Sequence, residues 1–241
     1  MSPDFVGSKE RWNSCCDGGR PADSREAIRP ILDLYRATRA QTLAVVEGLS
    51  QAQMDYVPAP GKWSPGEVLD HLLLGERLNL CYIHEIIEMK KAGKRPVLKL
   101  SLTDVDVSIA YLPKSLLQFF EVPLTVMNMF LPGSIRDLMT RYSLIPAQNA
   151  EVTTPRHGRC AAELRNDLIC SLQETEALFD AHSDLDYGET VIQHPLLGSN
   201  SIPELIRFLA LHEQRHQSQI EEILSDARFP MVDARQVEVE R

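Results

Sequence analysis

Apolar positions recur at helical spacing along most of the chain, and strand-like alternation is nearly absent. In "SREAIRPILDLYRATRAQTLAVVEGLS", Ile31, Leu34, Tyr35, Thr38, Thr42 and Val45 follow steps of three and four. This predicts a first helix that starts near Arg29–Pro30, since proline suits a first turn, and weakens at Gly48 and Ser50. In the next periodic stretch, Ser64-Pro65-Gly66-Glu67 supplies an N-cap, a proline at the first helical position and a glutamate at the third. A second helix is therefore expected over about Pro65–Ala92, with Lys90 and Lys91 at its C-terminal dipole. A third, over about Arg159–Ala181, carries Leu164, Leu168, Leu172 and Leu178 on one side. A fourth opens on Ser201-Ile202-Pro203-Glu204, a second capping box, and runs to about Asp226.

Between the second and third helices, residues 94–156 are broken by six prolines, with helical character over Tyr111–Met129 and Ser134–Leu144. The pattern predicts an all-α fold, a four-helix bundle with an irregular helical insertion between helices 2 and 3. Residues 25–228 form its single domain, between a polar N-terminal tail, 1–24, and a polar C-terminal tail, 229–241.

Composition narrows the function classes. The net charge of −9, with no basic cluster, argues against nucleic acid or an anionic membrane as partner. The longest apolar run, Val107–Leu131, is interrupted by Lys114, Glu121 and two prolines and does not span a membrane. Five cysteines without a C-x-x-C, and no apolar leader in the first residues, favour a reduced, cytoplasmic protein. G-x-G-x-x-G, phosphate-loop and G-x-S-x-G motifs are all missing, which sets nucleotide chemistry and serine hydrolysis aside.

The candidate chemistry lies in the histidines. On the fourth helix Leu205, Leu209, His212, His216, Gln219 and Ile223 form one stripe with apolar ends. His212 and His216, one turn apart, stand about 5–6 Å from each other at Cβ, close enough to share an ion. On the second helix His71 lies in the apolar run "VLDHLLLG", with Gly75 one turn later leaving room. Three inward histidines from two helices suit a divalent transition metal with an open position. A core histidine bonded to a backbone or hydroxyl group is the plainer alternative for each, and the spacing alone leaves both open. Residues 212–216 also spell H-E-x-x-H, the helix motif of zinc proteases, in which the glutamate activates a metal-bound water. The extended protease motif requires Gly and His where this chain has Gln219 and Glu222. Glu213, one residue off the stripe, is a candidate general base, with a solvated surface position as its alternative.

"KWSPGEVLDHLLLGERL" and "HPLLGSNSIPELIRFLALHEQRHQSQIEEIL" together resemble the DinB-like (YfiT-type) family of four-helix-bundle metalloenzymes. The resemblance is carried by Trp63, Ser64, Glu67, His71 and Leu72, by His194, Pro195 and Gly198, and by His212, Arg215, His216, Gln219 and Ile220. It implies a metal triad of His71, His212 and His216 holding nickel or zinc, with water completing the shell, and a homodimer. It implies a small-molecule substrate, with a hydrolase or a low-molecular-weight-thiol S-transferase as the activity. A non-catalytic metal- or ligand-binding bundle is the alternative. The N-terminal 24 residues and the long insertion depart from the family pattern.

Overall fold

A computed structural model describes residues 24–100, 108–109, 147–148, 153–194 and 198–231. The elements are α1 (Ser24–Val45), α2 (Gln51–Met54), α3 (Pro65–Lys91), β1 (Val97–Lys99), β2 (Ser108–Ile109), β3 (Ala147–Gln148), α4 (Ala161–Ala181), β4 (Val191–His194), β5 (Gly198–Asn200) and α5 (Ile202–Leu224). The four long helices match the four expected. Helices proposed over Tyr111–Met129 and Ser134–Leu144, and both terminal tails apart from Ser24 and Phe229–Met231, lie outside the described residues.

Both capping boxes form. The Ser64 and Ser201 side chains accept from the backbone N–H of Glu67 and Glu204, whose carboxylates accept from the cap N–H groups in return. A third box, Ser50 with Gln53, opens the short α2. The N-terminus of α4 has no side-chain cap of its own. There the Ala161 N–H donates to Gln51 Oε1 of α2 at 2.9 Å, so one of its orphan donors is satisfied from another element. Helix α1 begins at Ser24 rather than near Pro30, which sits inside the helix.

In the bundle α1 packs against α5 and α4, and α3 packs against α4 and α5. Along each helix an apolar set, a polar step and a second apolar set follow one another. One core holds Ile28 and Tyr35 of α1, Ile83 and Ile86 of α3, Phe179 of α4 and Ile206 of α5. The other holds Val46, then Leu69 and Leu73 of α3, Leu164 and Leu168 of α4, and Ile220 of α5. The order in which each helix meets them gives its direction. Helices α1 and α5 run one way, α3 and α4 the other. Neighbours α3 and α4 are therefore parallel, and their link must return along the bundle. Helix α3, with 27 residues, is about 40 Å long. A long link between α3 and α4 is thus a crossover that the topology requires.

That link starts with β1, which pairs in parallel with β4, while β4 pairs antiparallel with β5. This small sheet closes the bundle end where Ile192 is buried. Three- and four-residue strands are too short to show an alternating pattern, and the sequence did not reveal them. No helix among the described residues is long and apolar enough to cross a membrane.

Between the two apolar cores lies a polar layer drawn from all four long helices. Arg39, 1% exposed, donates from Nε and Nη2 to Glu213 at 2.8 and 3.0 Å, from Nη2 also to Glu76 and the Tyr35 hydroxyl, and from Nη1 to the Leu168 carbonyl. Thr42 donates to Glu213, and Thr175 to Glu76. Gln217 reaches the Thr38 carbonyl and the Thr42 hydroxyl. Buried charge is tolerable when each member is bonded; removing one partner leaves the others uncompensated.

Arg39→Met is accordingly expected to lose about 3–5 kcal/mol of stability, measured as a lower urea midpoint. Adding Glu76→Gln and Glu213→Gln should restore most of the loss. A midpoint for Arg39→Met equal to wild type would show that the layer does not hold the helices.

Candidate metal centre

Two helix faces build the site. Helix α5 directs Glu213 and Gln217 into the polar layer, and one step round the helix His212 and His216 turn toward α3. Helix α3 presents His71 from its second turn. The ring centroids lie 5.3 Å apart for His71–His212, 5.0 Å for His71–His216 and 4.6 Å for His212–His216. One ring nitrogen from each falls within 4.8 Å of the others. The Nε2 atoms of His212 and His216 are 3.3 Å apart. Two imidazoles sharing one tetrahedral ion at 2.0–2.1 Å would place their nitrogens about 3.3 Å apart.

The outer nitrogens are held. His71 Nδ1 is 2.9 Å from the Thr153 carbonyl, which can only accept, so Nδ1 carries the proton and Nε2 the lone pair. His216 Nδ1 lies 2.8 Å from Gln219 Oε1, which sets the same tautomer. His71 Nε2 is buried and has no hydrogen-bond partner among the described residues. An orphaned acceptor at the meeting point of three rings is the feature that fits a metal ion.

Burial pushes all three imidazoles down. His71 is lowered by burial despite the Thr153 bond, and His212 lies well below its ordinary value, through burial and then the neighbouring His216 and His71. His216 falls to about 3, through burial and then Arg215. All three are thus neutral at pH 7, the state a ligand requires.

The surroundings are partly aromatic. The Trp63 ring stands 4.9 Å from His71 and 6.3 Å from His216, and Phe208 stacks on His212 at 5.6 Å. Asp70, fully buried beside His71, accepts from the Arg156 backbone N–H and guanidinium and from Arg159 at 2.8–3.3 Å. That clamp holds the segment whose Thr153 carbonyl meets His71.

Sequence reasoning found the three rings and missed the clamp. Arg156 is 86 positions from Asp70, and no local pattern links them. The reading of Glu213 needs correction. It is 1% exposed, not on the surface, and both carboxylate oxygens are taken by Arg39 and Thr42. It is not left free to act as a base at the histidines, as the protease motif requires. Glu67 stays in its helix cap, and His84 is exposed as expected. His194 sits in β4, where burial lowers its pKa to about 4. A Cβ added at Gly75 would meet no neighbouring group among the described residues within 4 Å.

Comparison with known proteins adds a family. A family model described as the DinB superfamily matches residues 34–220, a span that includes all three histidines. A solved structure, YfiT from Bacillus subtilis, is described as a probable metal-dependent hydrolase with an unusual four-helix bundle topology. It is 16% identical, with 85% of this chain and 90% of that chain covered and a TM-score of 0.42. No curated protein matches the sequence.

Two outcomes follow. His194 and His216 titrate below the ordinary value near 6.5, so the unfolded chain takes up protons that the folded chain refuses. The stability they contribute is whole above about pH 6.5 and is lost as pH falls toward about 3. The melting temperature of metal-free protein should fall steadily from pH 7 to 5; a flat profile would contradict the burial. Asp70→Ala should speed hydrogen exchange at the Arg156 amide by roughly tenfold or more, with amides in β4 unchanged. Unaltered exchange at Arg156 would remove the clamp from the account.

Proposed function

The chain belongs to the DinB superfamily, and we propose that His71, His212 and His216 hold one divalent transition ion, nickel or zinc, in a metal-dependent enzyme. The observation that carries this reading is the orphaned, buried Nε2 of His71, aimed where the other two rings converge. A bound ion with an open position would bring a water or a thiol near its deprotonation point at neutral pH.

The chain's own groups do the rest. Thr153 and Gln219 fix which nitrogen of His71 and His216 bears the proton, so the Nε2 lone pairs are the ones left for a ligand. Trp63 and Phe208 cover the rings with apolar surface and limit water at the site. Glu213, bound to Arg39, orients α5 and takes no proton at the site. The reaction is hydrolysis or transfer to a low-molecular-weight thiol. Both need a nucleophile activated at one open position, and neither needs a carboxylate base at the rings.

Metal content by mass spectrometry tests the reading. Reconstituted wild type should retain about one ion per chain, and His71→Ala should lose at least tenfold in affinity. Wild type that binds neither nickel nor zinc would sink the proposal. Retention by His71→Ala would move the third ligand elsewhere.

A further inference from the structure

Arg215 lies between two of the site's histidines in sequence, and its guanidinium faces them. Its Nη2 is 3.0 Å from His216 Nε2, and its Nε is buried without a hydrogen-bond partner among the described residues. The other inward guanidinium groups are matched to carboxylates: Arg39 to Glu213 and Glu76, and Arg159 to Asp70 and Asp167. Arg215 makes no ion pair with any carboxylate among the described residues. A largely desolvated cation without a counter-charge is costly, and nothing described in this chain offsets it. Its one hydrogen-bond partner among the described residues, the His216 ring nitrogen, offers the lone pair that a metal ion would use. The two uses exclude one another.

We propose that Arg215 is the docking group for a carboxylate on the substrate, beside the metal position. This rests on the metal reading given above. His71, His212 and His216 would hold the ion, and the His216 lone pair would then no longer be open to Nη2. Nε and Nη2 then form a planar two-donor fork, the shape that pairs with a carboxylate through two parallel hydrogen bonds. One guanidinium and one ion suit a monoanion, whereas phosphate ordinarily collects more cations. Arg156 and Arg159 are already committed to Asp70. The substrate class is therefore a small carboxylic acid whose reacting group sits within a few bonds of its carboxylate.

The experiment uses full-length, nickel-loaded protein and two thiols of the same shape, 3-mercaptopropionate and its neutral amide. Binding is followed by thiolate-to-nickel charge-transfer absorption, which needs no turnover. Wild type should prefer the acid by about tenfold or more. Arg215→Gln should lose that preference, bind the amide as wild type does, and bind nickel at least as tightly, because the competing donor is gone. Arg215→Lys keeps the charge without the fork and should give an intermediate preference, which decides the matter if Arg215→Gln does not fold. A preference that survives in Arg215→Gln would overturn the assignment, since the carboxylate would then be held by the ion or another group. Displacement of the acid by inorganic phosphate more effectively than by acetate would also overturn it, in favour of a phosphate site. Nickel bound normally with no preference in wild type would defeat this inference alone. No nickel bound at all would defeat the metal reading, and this inference with it.

Discussion

The Arg39 guanidinium, held by Glu213 and Glu76 in the middle of the bundle, fixes the rest of the arrangement. Glu213 neighbours His212 in sequence and Gln217 neighbours His216. Successive residues on a helix point about 100° apart. Tying Glu213 and Gln217 to α1 therefore sets the rotation of α5, and with it the direction of both histidines. The same layer resists sliding. Moving α5 by one turn would press a carboxylate against leucines and isoleucines in one of the two apolar cores, where it would have no partner. The metal candidate thus inherits its geometry from a charge cluster that takes no part in its chemistry.

Much of this was legible in the sequence because it is local. Capping boxes occupy four residues, so Ser64–Glu67 and Ser201–Glu204 could be read directly, and both helix starts were correct. The stripe Leu205, Leu209, His212, His216 is a matter of spacing within one helix. What stayed hidden depends on pairs far apart in the chain. Arg39 and Glu213 are 174 positions apart, and each alone looks like a solvated charge. That is why Glu213 was read as a surface residue or a base. The start of α1 differs because Pro30 reads as a first-turn residue, whereas it lies inside the helix. The strands escape a reading of the sequence because each is only two to four residues long, and β1 is paired with β4 more than ninety positions away.

The tautomer of His71 also has a non-local origin. His71 depends on a carbonyl 82 positions away, and that carbonyl lies in a segment which Asp70 grips through Arg156 and Arg159. Asp70 and His71 are adjacent, so one helical turn both presents the ring and anchors the strap that orients it. The arrangement resembles the outer-shell support common at metal centres, where the groups behind the ligands set how well they bind.

The crossover from α3 to α4 is fastened at both ends. Near Leu100 it is hydrogen-bonded to β4, and at Thr153–Arg159 it is clamped by Asp70. Whatever loosens Thr153–Arg159 therefore reaches the His71 ring through the carbonyl that sets its tautomer, while the charge cluster behind the rings is held separately by Arg39.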